Sequence, residues 1–258
     1  MLQMRREQMD AFGAAARRGF EQQMLVHLAE FSPPLFRAVG PEPLRLAIRL
    51  GMERAAGYGF TTRGPVRLWL ESALLFGSFF DTDPQYPQIG ALLADADQAP
   101  EMARAERLYA WIKDYRARVA GPDDAYTLRA LGNLAALARQ PLDWPPEHVV
   151  PALLAEITTA YPEKADFVGQ EALTALIRKA MAGARAQHFT NSRGMALVLV
   201  LMLAFGHGCG ADPLYPWIAR TLRDPVITDP AARAQRLEKK ALTWLRHVLT
   251  HFDVALPA

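Results

Sequence analysis

The sequence predicts an all-α protein, a tandem duplication of a roughly five-helix unit packed as a pseudo-twofold helical bundle. Apolar residues recur at helical spacing, and no segment of comparable length alternates with a period of two. The second half also repeats the first at one fixed offset. The segment from Pro33 recurs from Pro162, 129 residues on, and the register holds without a gap. It pairs Val39, Gly40, Glu42 and Leu44 with Val168, Gly169, Glu171 and Leu173, then Ile48, Arg49 and Met52 with Ile177, Arg178 and Met181. Phe60-Thr61 then pairs with Phe189-Thr190, Phe76-Gly77 with Phe205-Gly206, and the stretch 103–108 with 232–237. The two halves are 1–129 and 130–258, compatible with one compact domain.

The first unit reads as helices near 6–31, 41–58, 64–80, 85–95 and 101–120. Phe12, Phe20, Met24, Leu28 and Phe31 form the apolar stripe of the opening helix, and Leu44, Ile48, Met52 and Ala55 that of the next. The run 68–74 aligns with 197–203, the most apolar stretch of the chain, which predicts a helix enclosed on all sides rather than a buried strand. A linking helix near 123–139 follows from Tyr126, Leu131, Leu134 and Leu137, with Pro122-Asp123-Asp124 suiting its start. The second unit repeats the pattern near 146–160, 170–187, 193–207, 214–224 and 230–250, introduced by the proline-rich stretch Pro141 to Pro151. The seam between units is expected to be held by apolar residues of Leu68 to Phe76 and Leu197 to Phe205.

Composition excludes more than it identifies. A hydrophobic fraction of 51% with 22% charged residues is globular, and a net charge of +2 is too balanced to imply nucleic acid or an anionic membrane as partner. A single cysteine rules out a disulfide framework and a thiolate zinc cage. The opening residues, Met1 to Gln8, carry charge but lead into no apolar core, so no secretory signal is read, and the longest apolar run, Met195 to Phe205, is about half of what spans a bilayer. A cytoplasmic protein is expected.

The duplicated turns Asp83-Pro84-Gln85-Tyr86-Pro87 and Asp212-Pro213-Leu214-Tyr215-Pro216 attract attention first. Two equivalent carboxylates could share a metal or act as an acid/base pair. The better reading is a structural turn, in which Asp83 and Asp212 cap helices, Pro84 and Pro213 occupy the first turn, Tyr86 and Tyr215 pack the turn on the core, and Pro87 and Pro216 stiffen it. His207, Cys209 and Asp212 lie close together, but their spacing fits no zinc motif, and Ser78 and Phe80 replace the first two in the other unit. His247 and His251, four apart, make a weak surface pair, and the other histidines show no ligand spacing. The tryptophans, Trp69, Trp111, Trp144, Trp217 and Trp244, are expected in the core. No phosphate loop, nucleophile elbow or metalloprotease helix occurs, so no catalytic residue, cofactor or metal is expected.

The repeated motif carries a resemblance. A helix ending in Tyr58-Gly59-Phe60-Thr61, a helix running to Phe76-Gly77 and then 80–87 resemble a family of small all-helical bacterial proteins encoded beside type VI secretion effectors. The second unit, with Asp212 to Trp217 followed by 222–230, resembles it too. The resemblance implies a non-enzymatic partner of a secreted effector or toxin, acting as chaperone or adaptor, or alternatively as an immunity protein. It supplies no catalytic residue. A hydrolase using the paired Asp-Pro turns is the distant alternative.

Overall fold

The computed structural model describes residues 6–95, 99–137, 140, 142–145 and 147–251. Residues 1–5 and Pro141 lie outside them, as do 138–139 at the end of the expected linking helix and Pro146 at the start of the helix expected over 146–160. Among the described residues the chain is all-α, with thirteen α-helices, short 3-10 and π segments, and no strand.

The first half contains α1 (Arg6–Phe31), α2 (Pro33–Val39), α3 (Pro41–Gly57), α4 (Arg63–Phe76), α5 (Pro87–Ala94) and α6 (Glu101–Tyr115). Next come α7 (Ala125–Leu137) and α8 (Val149–Ala160), and then α9 (Pro162–Val168), α10 (Gln170–Ala186), α11 (Ser192–Phe205), α12 (Pro216–Leu222) and α13 (Pro230–His251). The five pairs of helix starts, Pro33 and Pro162, Pro41 and Gln170, Arg63 and Ser192, Pro87 and Pro216, and Glu101 and Pro230, all keep the 129-residue offset. Residues 129 and 130 fall inside α7, so a helix and not a linker runs across the expected boundary. One apolar core takes residues from both halves, from Met24 to Leu237, while Ala135, Leu245 and Leu249 form a small second cluster with α7 and α13.

Two helices escaped the sequence reading. Helices α2 and α9 have seven residues each, too short to display an apolar period. Their bounds were nonetheless written in the chain: each opens on proline, which loses no needed donor there, and each stops on a glycine at positive φ, Gly40 at 82° and Gly169 at 84°.

Other ends shift for local reasons. Helix α4 stops at Phe76, short of the expected residue 80, because Gly77 has φ 90° and ψ 155°; α11 stops at Phe205 because Gly206 has φ 83° and ψ 156°. That region is open essentially to glycine alone. Helix α6 passes at Tyr115 into a single π turn, Arg116–Ala120, ended by Gly121 at φ 75°. Of the tryptophans, Trp69 is fully buried, and Trp111, Trp144, Trp217 and Trp244 are partly buried against the core.

Candidate functional site

The two Asp-Pro turns do come together, in a way that corrects the capping expectation. The N-cap residues of α5 and α12 are Tyr86 and Tyr215, with Pro87 and Pro216 in the first turn, and no side chain caps either helix. Asp83 and Asp212 instead lie one turn earlier, 3% and 2% exposed, and each reaches into the opposite half. Asp83 Oδ2 accepts the His207 N–H at 2.7 Å, and Asp212 Oδ2 accepts the Ser78 N–H at 2.7 Å. Ser78 and His207 are themselves equivalent positions, so the exchange is reciprocal. Each carboxylate also closes its own turn, accepting from Gln85 N and Leu214 N at 2.9 Å. Ser78 Oγ donates to Asp212 at 2.7 Å, and Gln85 Nε2 donates to Asp83 at 3.2 Å and to the Met202 carbonyl at 3.1 Å. Aspartate wins over a mere cap because one carboxylate can satisfy N–H groups from two segments of the chain at once, and each would otherwise be an orphan donor. Burial pushes the Asp212 carboxyl above its ordinary range, with the Ser78 and Leu214 donors opposing the shift.

Glycines let the turns approach. A β-carbon on Gly77 would sit 2.3 Å from the Phe205 carbonyl oxygen, and one on Gly206 2.4 Å from that of Phe76. The seam expected to be an apolar face along α4 and α11 is, at this point of contact, two glycine backbones flanked by crossed carboxylates.

His207, Cys209 and Asp212 do not assemble into a nucleophilic site. The His207 ring nitrogen Nδ1 lies 3.3 Å from Asp83 Oδ2, while its ring packs on Phe79. Cys209 is buried, and burial next to the Asp212 carboxylate pushes its thiol up to about 12, where little thiolate exists at neutral pH. His247 and His251 occupy the exposed side of α13. Among the described residues no group of three or more His, Cys, Asp or Glu side chains is placed to hold a metal ion.

The most unusual group is one the sequence reading passed over. Lys164 of α9 is 2% exposed, donates to Tyr86 Oη and to the Leu203 carbonyl, both at 3.2 Å, and has no carboxylate among the described residues within 4.0 Å. Burial therefore lowers its amine to about 8, offset in part by Asp83 from beyond contact distance. It lines a cavity of about 240 Å³ with Tyr86, Tyr115, Tyr161, Leu203 and Trp244 among the walls. The Tyr86 and Tyr115 hydroxyls are 3.5 Å apart, and Tyr161 donates to the Val119 carbonyl at 3.0 Å and lies 2.8 Å from Thr127 Oγ1. Burial raises all three phenols, Tyr161 to about 12. Arg116 and Asp124, at 61% and 44% side-chain exposure, stand at the cavity's solvent side. A signal was present in the repeat: Lys164 stands where the first unit has Leu35, a charge in place of an apolar residue.

No protein-family model, curated protein or solved structure matches the chain.

Proposed function

We propose that this chain is a non-enzymatic binding protein of the bacterial cytoplasm that holds a type VI secretion effector as chaperone or adaptor. The observation that carries the binding role is the outer half of α1. Every residue from Ala11 to Gly19 is exposed although the segment is helical, and Phe12 is 66% exposed. A helix of this kind gains little from its own fold and gains most from a partner that covers it. The packed pair α1 and α3 also exposes Val26 and Leu46 at 53% and 54%. Support for a non-catalytic reading comes from the Asp-Pro turns, whose carboxylates are occupied by backbone and side-chain donors of the seam. The effector as partner rests on the resemblance of the repeated motif. No helix among the described residues is long and apolar enough to cross a membrane.

The test is affinity capture from the native host with the wild-type chain and with Phe12→Ala and Leu46→Ala variants. The expected result is one protein, encoded beside this gene, whose capture survives a moderate rise in salt and falls at least tenfold with the variants. With a near-neutral surface, recognition rests on apolar anchors more than on steering. Capture of a nucleic acid, or of a partner indifferent to both substitutions, would overturn the reading. A captured toxin whose activity is blocked would favour the immunity alternative.

A further inference from the structure

The cavity around Lys164 is a different feature from the exposed helix, and its chemistry points to a small ligand. At one end is a buried primary amine with three N–H directions and two protein acceptors, Tyr86 Oη and the Leu203 carbonyl. Around it stand phenols that can donate as well as accept. The opposite walls are apolar: Leu131, Leu134, Ala204 and Trp244 are shared with a second cavity of about 70 Å³ that continues between α7, α11 and α13. A volume of about 240 Å³ exceeds the roughly 150 Å³ that accommodates a benzene ring.

A lone ammonium in such a place is costly unless an anion answers it. Asp83 does not: its oxygens are taken by His207, Gln85 and the turn. Arg116 is drawn to Asp124 at the solvent side, 4.0 Å away, so the interior holds one cation and matches a monoanion better than a phosphate dianion. We infer that this cavity binds a monocarboxylate with an apolar tail, of the size of a medium-chain fatty acid, its head group held by Lys164 and Tyr86 and its tail directed along Leu131, Leu134 and Trp244 towards the second cavity. The ligand's carboxylate takes the third N–H of the amine, and the tail fills space that the side chains leave open.

Calorimetric titration of the full chain with octanoate tests it, with octanol as the uncharged probe of the same length. Saturable one-to-one binding of octanoate is expected, with octanol at least tenfold weaker. Lys164→Met should weaken octanoate at least tenfold and leave octanol unchanged, and Ala204→Phe, which narrows the tail path, should weaken both. Circular dichroism confirms that each variant is folded; if Lys164→Met is not, the octanoate and octanol comparison on the wild-type chain decides. Absence of saturable octanoate binding at millimolar concentration, equal affinity for octanol, or a folded Lys164→Met variant that binds octanoate as the wild type does would overturn the assignment.

Discussion

Gly77 and Gly206 meet back to back, the carbonyl oxygen that precedes each lying 2.3–2.4 Å from where the other's β-carbon would be. The 129-residue offset of the sequence makes them equivalent positions. Around this contact run the reciprocal hydrogen bonds of Asp83 to His207 and Asp212 to Ser78, which makes the seam a polar, backbone-dominated joint set in an apolar core.

Alanine at either glycine is therefore doubly unfavourable, once for a backbone conformation that excludes a β-carbon and once for the carbonyl it would strike. Gly77→Ala and Gly206→Ala should each cost about 3 kcal/mol, read as a fall in the urea midpoint. Gly64→Ala, where a β-carbon meets nothing within 4 Å, is the control and should change stability little. Equal effects at all three sites would contradict the joint described above.

For Asp83 the geometry sets a larger penalty than helix capping would. A lost N-cap costs about 1 kcal/mol, whereas Asp83→Ala strands the part-buried His207 N–H and the buried Gln85 N–H and should cost about 3 kcal/mol. Chemical denaturation separates the two. A cost within the capping range would return Asp83 to the role the sequence suggested.

Lys164 gives stability a pH dependence of unusual sign. Its folded amine titrates at about 8, below the unfolded value of 10.5, so between those limits the unfolded chain holds more protons and stability rises with pH. The gain at the alkaline end is on the order of 3 kcal/mol. Tyr86, Tyr115 and Tyr161, raised by burial, act oppositely above pH 10, where they hold protons that the unfolded chain has lost. The other charged groups nearby are Asp83, Asp124, Arg116 and Glu163, the last held below the usual carboxylate range by its hydrogen bond from Arg129. Thermal denaturation from pH 7 to 10 should show the rise in the wild type and not in Lys164→Met; a rise of equal size in both would remove the lysine as its source.

Cys209 should resist alkylation. Its thiol is buried and pushed up to about 12, so iodoacetamide at pH 8 should leave the native chain unmodified for hours and label the urea-unfolded chain within minutes. Mass spectrometry of the two samples is the measurement, and rapid labelling of the native chain would revive a reactive role for this residue.

What the sequence determined was the local grammar. The 3.6-residue stripes through Leu44, Ile48 and Ala55 and the gapless offset from Pro33 to Pro162 carried the fold class and the order of helices, because apolar periodicity and turn residues act over a few positions. Even the missed helices α2 and α9 were bounded by a proline and a glycine that could be read. Tertiary structure alone decided what Asp83 and Lys164 do. Aspartate before proline has the same appearance whether it caps its own helix or reaches 124 positions along the chain to the His207 N–H, and only packing supplies that donor. Likewise Lys164, between Glu163 and Asp166 near a helix start, reads as an ordinary solvated charge. Its burial beneath Tyr86 and Leu203 comes from segments about 80 and 40 residues away, the first in the other half and the second in its own, whose approach is fixed by tertiary packing and by nothing in the local pattern.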